Sequence, residues 1–255
     1  MTKTIAMAGK GGVGKTTVAA ILIKLLSQKG LVLALDADPS TNLNQALGVH
    51  LEDSQTVGTI REQMSEDVSK GRLSPTLPKQ EYLYGKIVSS LAESKGFDLL
   101  AMGRPEGPGC YCASNRFLRD SLDKLVHDYK YDCIVMDCEA GLEHISRQTT
   151  RDIDVLLIMS DPTIRGITAA GRMKKLIEEL RSNVGRAGLI VNRVKGDLSP
   201  EIKKAIEQTG LEVLALIPEE PDISDLEMTG KAVVELPLGS QLQLKVKEVV
   251  ENLSL

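Results

Sequence analysis

The stretch Gly9-Lys10-Gly11-Gly12-Val13-Gly14-Lys15-Thr16 decides how the rest of the chain is read. It has the form G-x-x-x-x-G-K-[ST], in which glycines let backbone amides turn inward around an anion where a Cβ would obstruct them. The lysine of that pattern, here Lys15, reaches terminal phosphates, and the hydroxyl that follows, here Thr16, suits a Mg²⁺ ion. Residues 3–8 before the loop form a short apolar run. Residues 16–29 after it carry helical spacing through Val18, Ile21, Leu22, Leu25 and Leu26. A loop that follows a strand and opens a helix also gains the positive end of the helix dipole.

Outward from the loop the same alternation repeats. Residues 31–35 are fully apolar between Gly30 and Asp36, as expected of a strand buried on both faces. Similar runs fall at 98–102, 133–136, 155–159, 188–191 and 213–217, and helical patterns at 115–128, 164–181, 199–209 and about 239–253. Strands alternating with helices predict an α/β fold, a doubly wound, mostly parallel sheet flanked by helices, with ligands at the carboxyl ends of the strands. The polar stretch 52–97, with Pro75 and Pro78 inside it, reads as helices and a long surface connection. No repeat or linker divides the sequence, so one domain over 1–255 is expected.

Composition narrows the function. The 255 residues are 42% hydrophobic and 26% charged, enough to fill a core and too apolar for a disordered chain. With 31 basic and 35 acidic residues the formal charge is −4, which argues against retention on nucleic acid or an anionic membrane by bulk charge. Aromatic residues are 3%, with no Trp, so a base-stacking single-strand binder is excluded as well. No run approaches the roughly 18 apolar residues of a membrane span. The start of the chain runs directly into the glycine loop and leaves no room for a signal peptide. A cytoplasmic protein is expected.

The segment Lys10–Thr17 resembles the deviant phosphate loop (a deviant Walker A, within the P-loop NTPase fold) of the ATPases that include the nitrogenase iron protein and the partition and division-site ATPases. The resemblance implies ATP or ADP with Mg²⁺, held by Gly11, Gly12, Val13, Gly14, Lys15, Thr16 and Thr17, and a homodimer that sandwiches two nucleotides. Lys10 would reach the partner's phosphates, the work an arginine finger does elsewhere. Asp36-Ala37-Asp38-Pro39 matches the first switch, where Asp38 orients or activates the attacking water and stands near Mg²⁺. Residues 134–137 form an apolar strand ending in Asp137, the usual place for a carboxylate that supports Mg²⁺. Gly141 falls where a second switch needs a pliable amide. Asn192 matches an adenine-contacting asparagine, and Ile217-Pro218-Glu219 the loop closing the other side of the base. A slow, switch-like ATPase is implied.

Four cysteines are present: Cys110, Cys112, Cys133 and Cys138. They are too few for a disulfide scaffold. Cys110 and Cys112, one residue apart in a loop rich in Gly and Pro, can place two thiolates on one metal. One chain then supplies half of a four-coordinate site, and a two-fold dimer supplies the rest. Four thiolates suit Zn²⁺ if tetrahedral and Ni²⁺ if square-planar; a redox pair or two packed thiols are the other readings. Cys-x-Cys after the third strand, with Asp137-Cys-Glu-Ala-Gly-Leu-Glu-His144, resembles the nickel-maturation ATPases of carbon monoxide dehydrogenase and acetyl-CoA synthase. That likeness implies a metallochaperone for one of those clients, with no nucleic acid or membrane partner. An iron–sulfur electron donor like the nitrogenase iron protein, or a partition or division-site positioning ATPase, is the alternative. Cys133 and Cys138 read as packing residues, His144 as a switch hydrogen-bonding group, and His50 and His127 carry no role.

Overall fold

Strand β1 (Lys3–Gly9) alternates its side chains between two cores. Ile5 and Met7 enter one apolar cluster; Ala6 and Ala8 enter the other. Both sets are fully buried, which explains why the run is continuously apolar instead of alternating with polar residues. This is a computed structural model, and it describes residues 2–72, 78–104, 112–138, 152–179, 183–237 and 239–255, with the backbone alone over 112–117 and at 224 and 227.

Among the described residues the chain runs β1, α1 (Lys15–Leu26), β2 (Val32–Asp36), α2 (Leu43–Leu47), α3 (Val57–Ser69), α4 (Lys79–Ser89), β3 (Ala92–Ser94), β4 (Phe97–Ala101), α5 (Cys112–Tyr129), β5 (Cys133–Asp137) and β6 (Asp152–Ser160). It continues through α6 (Ile164–Glu179), β7 (Asn183–Val194), α7 (Pro200–Thr209), β8 (Glu212–Pro218), α8 (Pro221–Thr229) and α9 (Gln241–Asn252). The strands form one eight-stranded sheet in the order β3-β4-β2-β5-β1-β6-β7-β8. Every neighbouring pair is parallel except β3 with β4. The expected doubly wound, mostly parallel architecture is therefore present.

Helix α1 lies under heavy cover, packed against α2, α9 and the sheet, and nine of its twelve residues are buried. On the opposite face α3, α4, α5 and α6 bury residues such as Ile60, Ile87, Leu118 and Ile167 against Leu33, Leu35 and Met136. Strand order places β2 and β5 on one side of β1 and β6, β7 and β8 on the other, so the loop after β1 opens into the crevice where the order reverses. No helix among the described residues is long and apolar enough to cross a membrane.

Helix α2, five residues long, was too short to show a helical period, and three further elements differ from the sequence expectation. The stretch 52–97 ends in β3, three residues that cap the sheet edge antiparallel to β4 and are too short and polar to show a period. Strand β7 starts at Asn183, five residues before its apolar run, because its first half is exposed. Helix α8, following Pro221, carries too weak an apolar pattern to be seen.

Burial of α1 on all sides sets a strong contrast in stability. Ile21→Ala, at a fully buried site, is expected to cost about 2–5 kcal/mol. Leu244→Ala on α9, where the residue is 44% exposed, should stay within about 0.5 kcal/mol. Urea unfolding of both variants checks this, and equal losses would contradict the packing described.

Candidate functional site

The loop between β1 and α1 is held from behind. Gly14, the N-cap of α1, has φ 90°, a left-handed conformation that glycine adopts without penalty. A Cβ there would also stand 2.4 Å from the Asn192 side-chain nitrogen. That nitrogen donates to the Val13 carbonyl at 2.9 Å, and Asn192 is 6% exposed. The structure thus places Asn192 beneath the loop, as a brace on its backbone.

The front of the loop is set up for an anion. Gly14 offers no capping side chain and the first turn of α1 has no acidic residue, so the helix N-terminus keeps unpaired donors. Lys15 is buried and donates to the carbonyls of Gly9 at 3.1 Å and Lys10 at 3.3 Å, folded across its own loop. The Thr16 hydroxyl donates to Asp137 Oδ2 at 2.5 Å, tying the loop to the end of β5. Lys10 is exposed, and among the described residues its ammonium makes no hydrogen bond or ion pair.

Two strand-end carboxylates stand side by side. Asp36 and Asp137 are register partners on β2 and β5, both 1% exposed. Asp36 accepts the amide N–H of Leu43 at 2.9 Å on Oδ2 and that of Asp38 at 3.1 Å on Oδ1, so it shapes the turn that carries Asp38. Burial pushes Asp36 up to about 7, against those two hydrogen bonds and with help from the Asp137 charge. Burial likewise pushes Asp137 up to about 6, with Thr16 and Lys15 pulling the other way. Asp137 Oδ1 is buried with no hydrogen-bond partner. An orphaned carboxylate oxygen beside a threonine hydroxyl is a donor set that fits a hard divalent cation. Asp38 itself accepts from the Ser40 amide at 2.8 Å and from the Ser40 hydroxyl.

A cavity of about 620 Å³ opens in front of these groups, within the size range of a small-molecule site. Gly11, Gly12, Gly14, Lys15, Thr16 and Thr17 form its floor, and Asp38, Ser40, Asn42 and Gln45 one wall; Arg193, Gly230, Lys231 and Val233 form another. Pro218 and Glu219 are not on that wall. Glu219 instead takes its amide to the Val194 carbonyl at 3.1 Å and pairs with Lys195 at 2.9 Å. Asp36, Arg193 and Lys231 are the residues that sequence reasoning passed over. The spacing of Asp36 from Asp38 was a visible signal; nothing local pointed to Lys231.

Gly141, Cys110 and His144 lie outside the described residues, and of Cys112 only the backbone is described, as the first residue of α5. Among the described residues no group of three metal-ligating side chains occurs. Cys133 and Cys138 are buried; burial pushes the Cys133 thiol up to about 12 and the Cys138 thiol higher still, which keeps both protonated. The lead-in to the Cys110 segment is well placed. Met102 donates its amide to the Asp36 carbonyl at 2.8 Å, and Gly58 donates to the Met102 carbonyl at 2.9 Å. Gly103, with φ 65°, sits where a Cβ would stand 2.6 Å from Thr56. A second cavity of about 540 Å³ adjoins the first through Ser40 and reaches Thr41, Asp53, Glu62 and Arg104.

Residues 4–233 match the CobQ/CobB/MinD/ParA nucleotide binding domain. The chain belongs to that family. It is 40% identical to the uncharacterized ATP-binding protein MJ0685 of Methanocaldococcus jannaschii, over 98% of this chain and 97% of that protein. The carbon monoxide dehydrogenase accessory protein CooC of Rhodospirillum rubrum is 33% identical over 69% of each chain. The septum site-determining protein MinD of Pyrococcus horikoshii, solved in complex with Mg-ADP, shares the fold at a TM-score of 0.67 with 24% identity, covering 99% of this chain and 96% of that one.

The raised carboxyls set the sign of a pH effect. Unfolded, both titrate near 3.8; folded, near 7 and 6. The native state therefore binds more protons over that interval, and stability falls as pH rises from about 4 through 7. Melting temperatures of the nucleotide-free protein should fall across pH 5–8, and Asp36→Asn should flatten the slope. A melting temperature rising equally with pH in both proteins would contradict the assignment.

Proposed function

We propose that this chain is a slow, switch-like ATPase that works as a homodimer. In this reading it carries nickel on an intersubunit Cys110/Cys112 site and assists its insertion into carbon monoxide dehydrogenase or acetyl-CoA synthase. The observation that carries the reading is the hydrogen bond from Met102 to the Asp36 carbonyl: it joins the nucleotide turn to the strand end from which the cysteine segment departs. The likeness to a carbon monoxide dehydrogenase accessory protein supports the choice of client.

In this reading Lys15 leaves the Gly9 and Lys10 carbonyls to hold the terminal phosphates, while the free amides of the α1 N-terminus take the others. Thr16 and Asp137 would hold Mg²⁺, which when bound neutralises phosphate charge; Asp38 stands at its outer side. Asp38 orients the attacking water through Oδ2, while Oδ1 keeps the Ser40 amide and hydroxyl and so holds the carboxylate in place. Exposed Lys10 acts on the partner's nucleotide, so that two bound polyphosphates favour the dimer. Thr17 completes the loop contacts, and Asn192, expected against the adenine, serves from beneath by holding the Val13 carbonyl; Gly141 senses the terminal phosphate, and Pro218 and Glu219 approach the base from beyond the cavity wall.

The metal is cargo. Cys110 and Cys112 from two chains give four sulfurs, suited to Ni²⁺ or Zn²⁺. Buried, protonated Cys133 and Cys138 are poor candidates for additional ligands. A membrane-positioning role finds less support, because α9 spends its apolar face, Leu242, Val246, Val249 and Val250, on the core.

Lys10→Ala should retain nucleotide binding and lose most turnover, whereas Lys15→Ala loses both. Asp38→Ala should trap an ATP-bound dimer, detectable by light scattering. Normal turnover in the Lys10 or Asp38 variant would remove the cross-subunit or water-orienting role, respectively.

Nickel titration of anaerobically purified protein, followed by charge-transfer absorbance and dimer mass, should give one Ni²⁺ per dimer. Cys110→Ser or Cys112→Ser should abolish tight binding and leave ATPase activity largely intact; Cys133→Ser should change metal binding little. One-per-dimer binding by the Cys110/Cys112 double variant, or brown iron–sulfur absorbance in the native protein, would overturn nickel delivery.

A further inference from the structure

The second cavity, of about 540 Å³, has the size of a small-molecule site and plays no part in the function proposed above. It lies between the turn that follows Asp38, the start of α3 and the residues just after β4. Two of its lining residues have left-handed backbone: Gly103 at φ 65° and Thr41 at φ 47°. For glycine that conformation is free, but for β-branched Thr41 it is an outlier. Such strain persists only where the surroundings impose it, and it clusters beside ligands.

The charges on its walls are unspent. The Asp53 carbonyl accepts the Thr56 and Thr59 hydroxyls at 3.3 and 3.0 Å, which fixes the backbone of that residue. Its carboxylate makes no hydrogen bond or ion pair among the described residues, and neither does the Arg104 guanidinium. The chain that carries Arg104 is also tied down, since Gly58 donates to the Met102 carbonyl at 2.9 Å. A carboxylate and a guanidinium thus line one cavity without neutralising each other. Opposite charges held apart in this way match a ligand that carries the complementary pair.

We propose that this cavity binds a free α-amino acid, with Arg104 taking its carboxylate and Asp53 its ammonium. The planar guanidinium fork can hold a carboxylate by two parallel hydrogen bonds, and an ammonium brings three donors to an acceptor-only carboxylate. Glu62 on the same wall favours a cationic side chain over an apolar one. Ser40 lines both cavities, and its amide and hydroxyl are held by Asp38. An occupant therefore rests against the turn that carries Asp38. The site is separate from nucleotide hydrolysis and from the metal cargo.

The test is calorimetric titration of the full-length, nucleotide-free protein with three probes, together with melting temperatures without ligand. The probes are L-lysine, its methyl ester, which lacks the carboxylate, and Nα-acetyl-L-lysine, which lacks the α-ammonium. L-Lysine should bind, and each derivative should bind about tenfold more weakly through loss of one charge-assisted contact. Arg104→Gln should weaken L-lysine about tenfold and abolish the difference between it and the methyl ester. Asp53→Asn should do the same for Nα-acetyl-L-lysine. Both variants should melt as the wild type does, because neither charge is spent on the fold. Failure of the wild-type protein to bind L-lysine overturns the proposal, as does equal binding of all three probes. Equal weakening of the three probes in a variant overturns direct contact by that residue.

Discussion

Asp36 and Asp137 lie next to each other in register at the ends of parallel strands, and the sheet buries both. Two adjacent carboxylates out of water are unfavourable unless donors or a cation compensate them. Much of the site is the compensation. Asp36 takes the amides of Asp38 and Leu43, which bends the chain after β2 and starts α2. Asp137 takes the Thr16 hydroxyl, which fixes the first turn of α1 against β5. One oxygen of Asp137 remains buried without a partner, so the compensation is left incomplete at that carboxylate.

On the other side of β1 the restraint is steric and not electrostatic. Asn192 fills the space behind Gly14 and holds Val13, so the loop cannot settle backward onto the sheet. Between the two restraints the glycine loop presents its amides in one direction. The sheet supplies this through strand order alone, since β5 and β7 contact the loop from opposite sides without contacting each other.

The fold was legible in the sequence because strands buried on both faces must be continuously apolar, and residues 31–35 and 133–136 are. β3 was not, being three residues long, nor was α8, whose apolar residues are few. At the site, the loop glycines, Lys15, Thr16 and Asp137 could be found from pattern, because chemistry dictates residue type at fixed spacing there. Arg193 and Lys231, which line the cavity, could not: each lies far along the chain from the loop, with no motif to mark it. Pro218 and Glu219 illustrate the same limit in reverse. Their resemblance was to a loop closing one side of the base; Glu219 pairs with Val194 and Lys195, and it is Gly230, Lys231 and Val233 that line the cavity there.

The contact between Gly58 and the strand end has a mechanical meaning. Its amide holds the Met102 carbonyl, while a Cβ on it would stand 2.3 Å from the carbonyl oxygen of Arg104. Residues 102–104 are therefore gripped between α3 on one side and the Asp36 carbonyl on the other, with no slack for independent travel. A displacement of the turn after Asp36 has to carry residues 102–104 with it or break one of two hydrogen bonds. The root of the cysteine segment is thus tied at Met102 to two parts of the fold at once, the first turn of α3 and the end of β2.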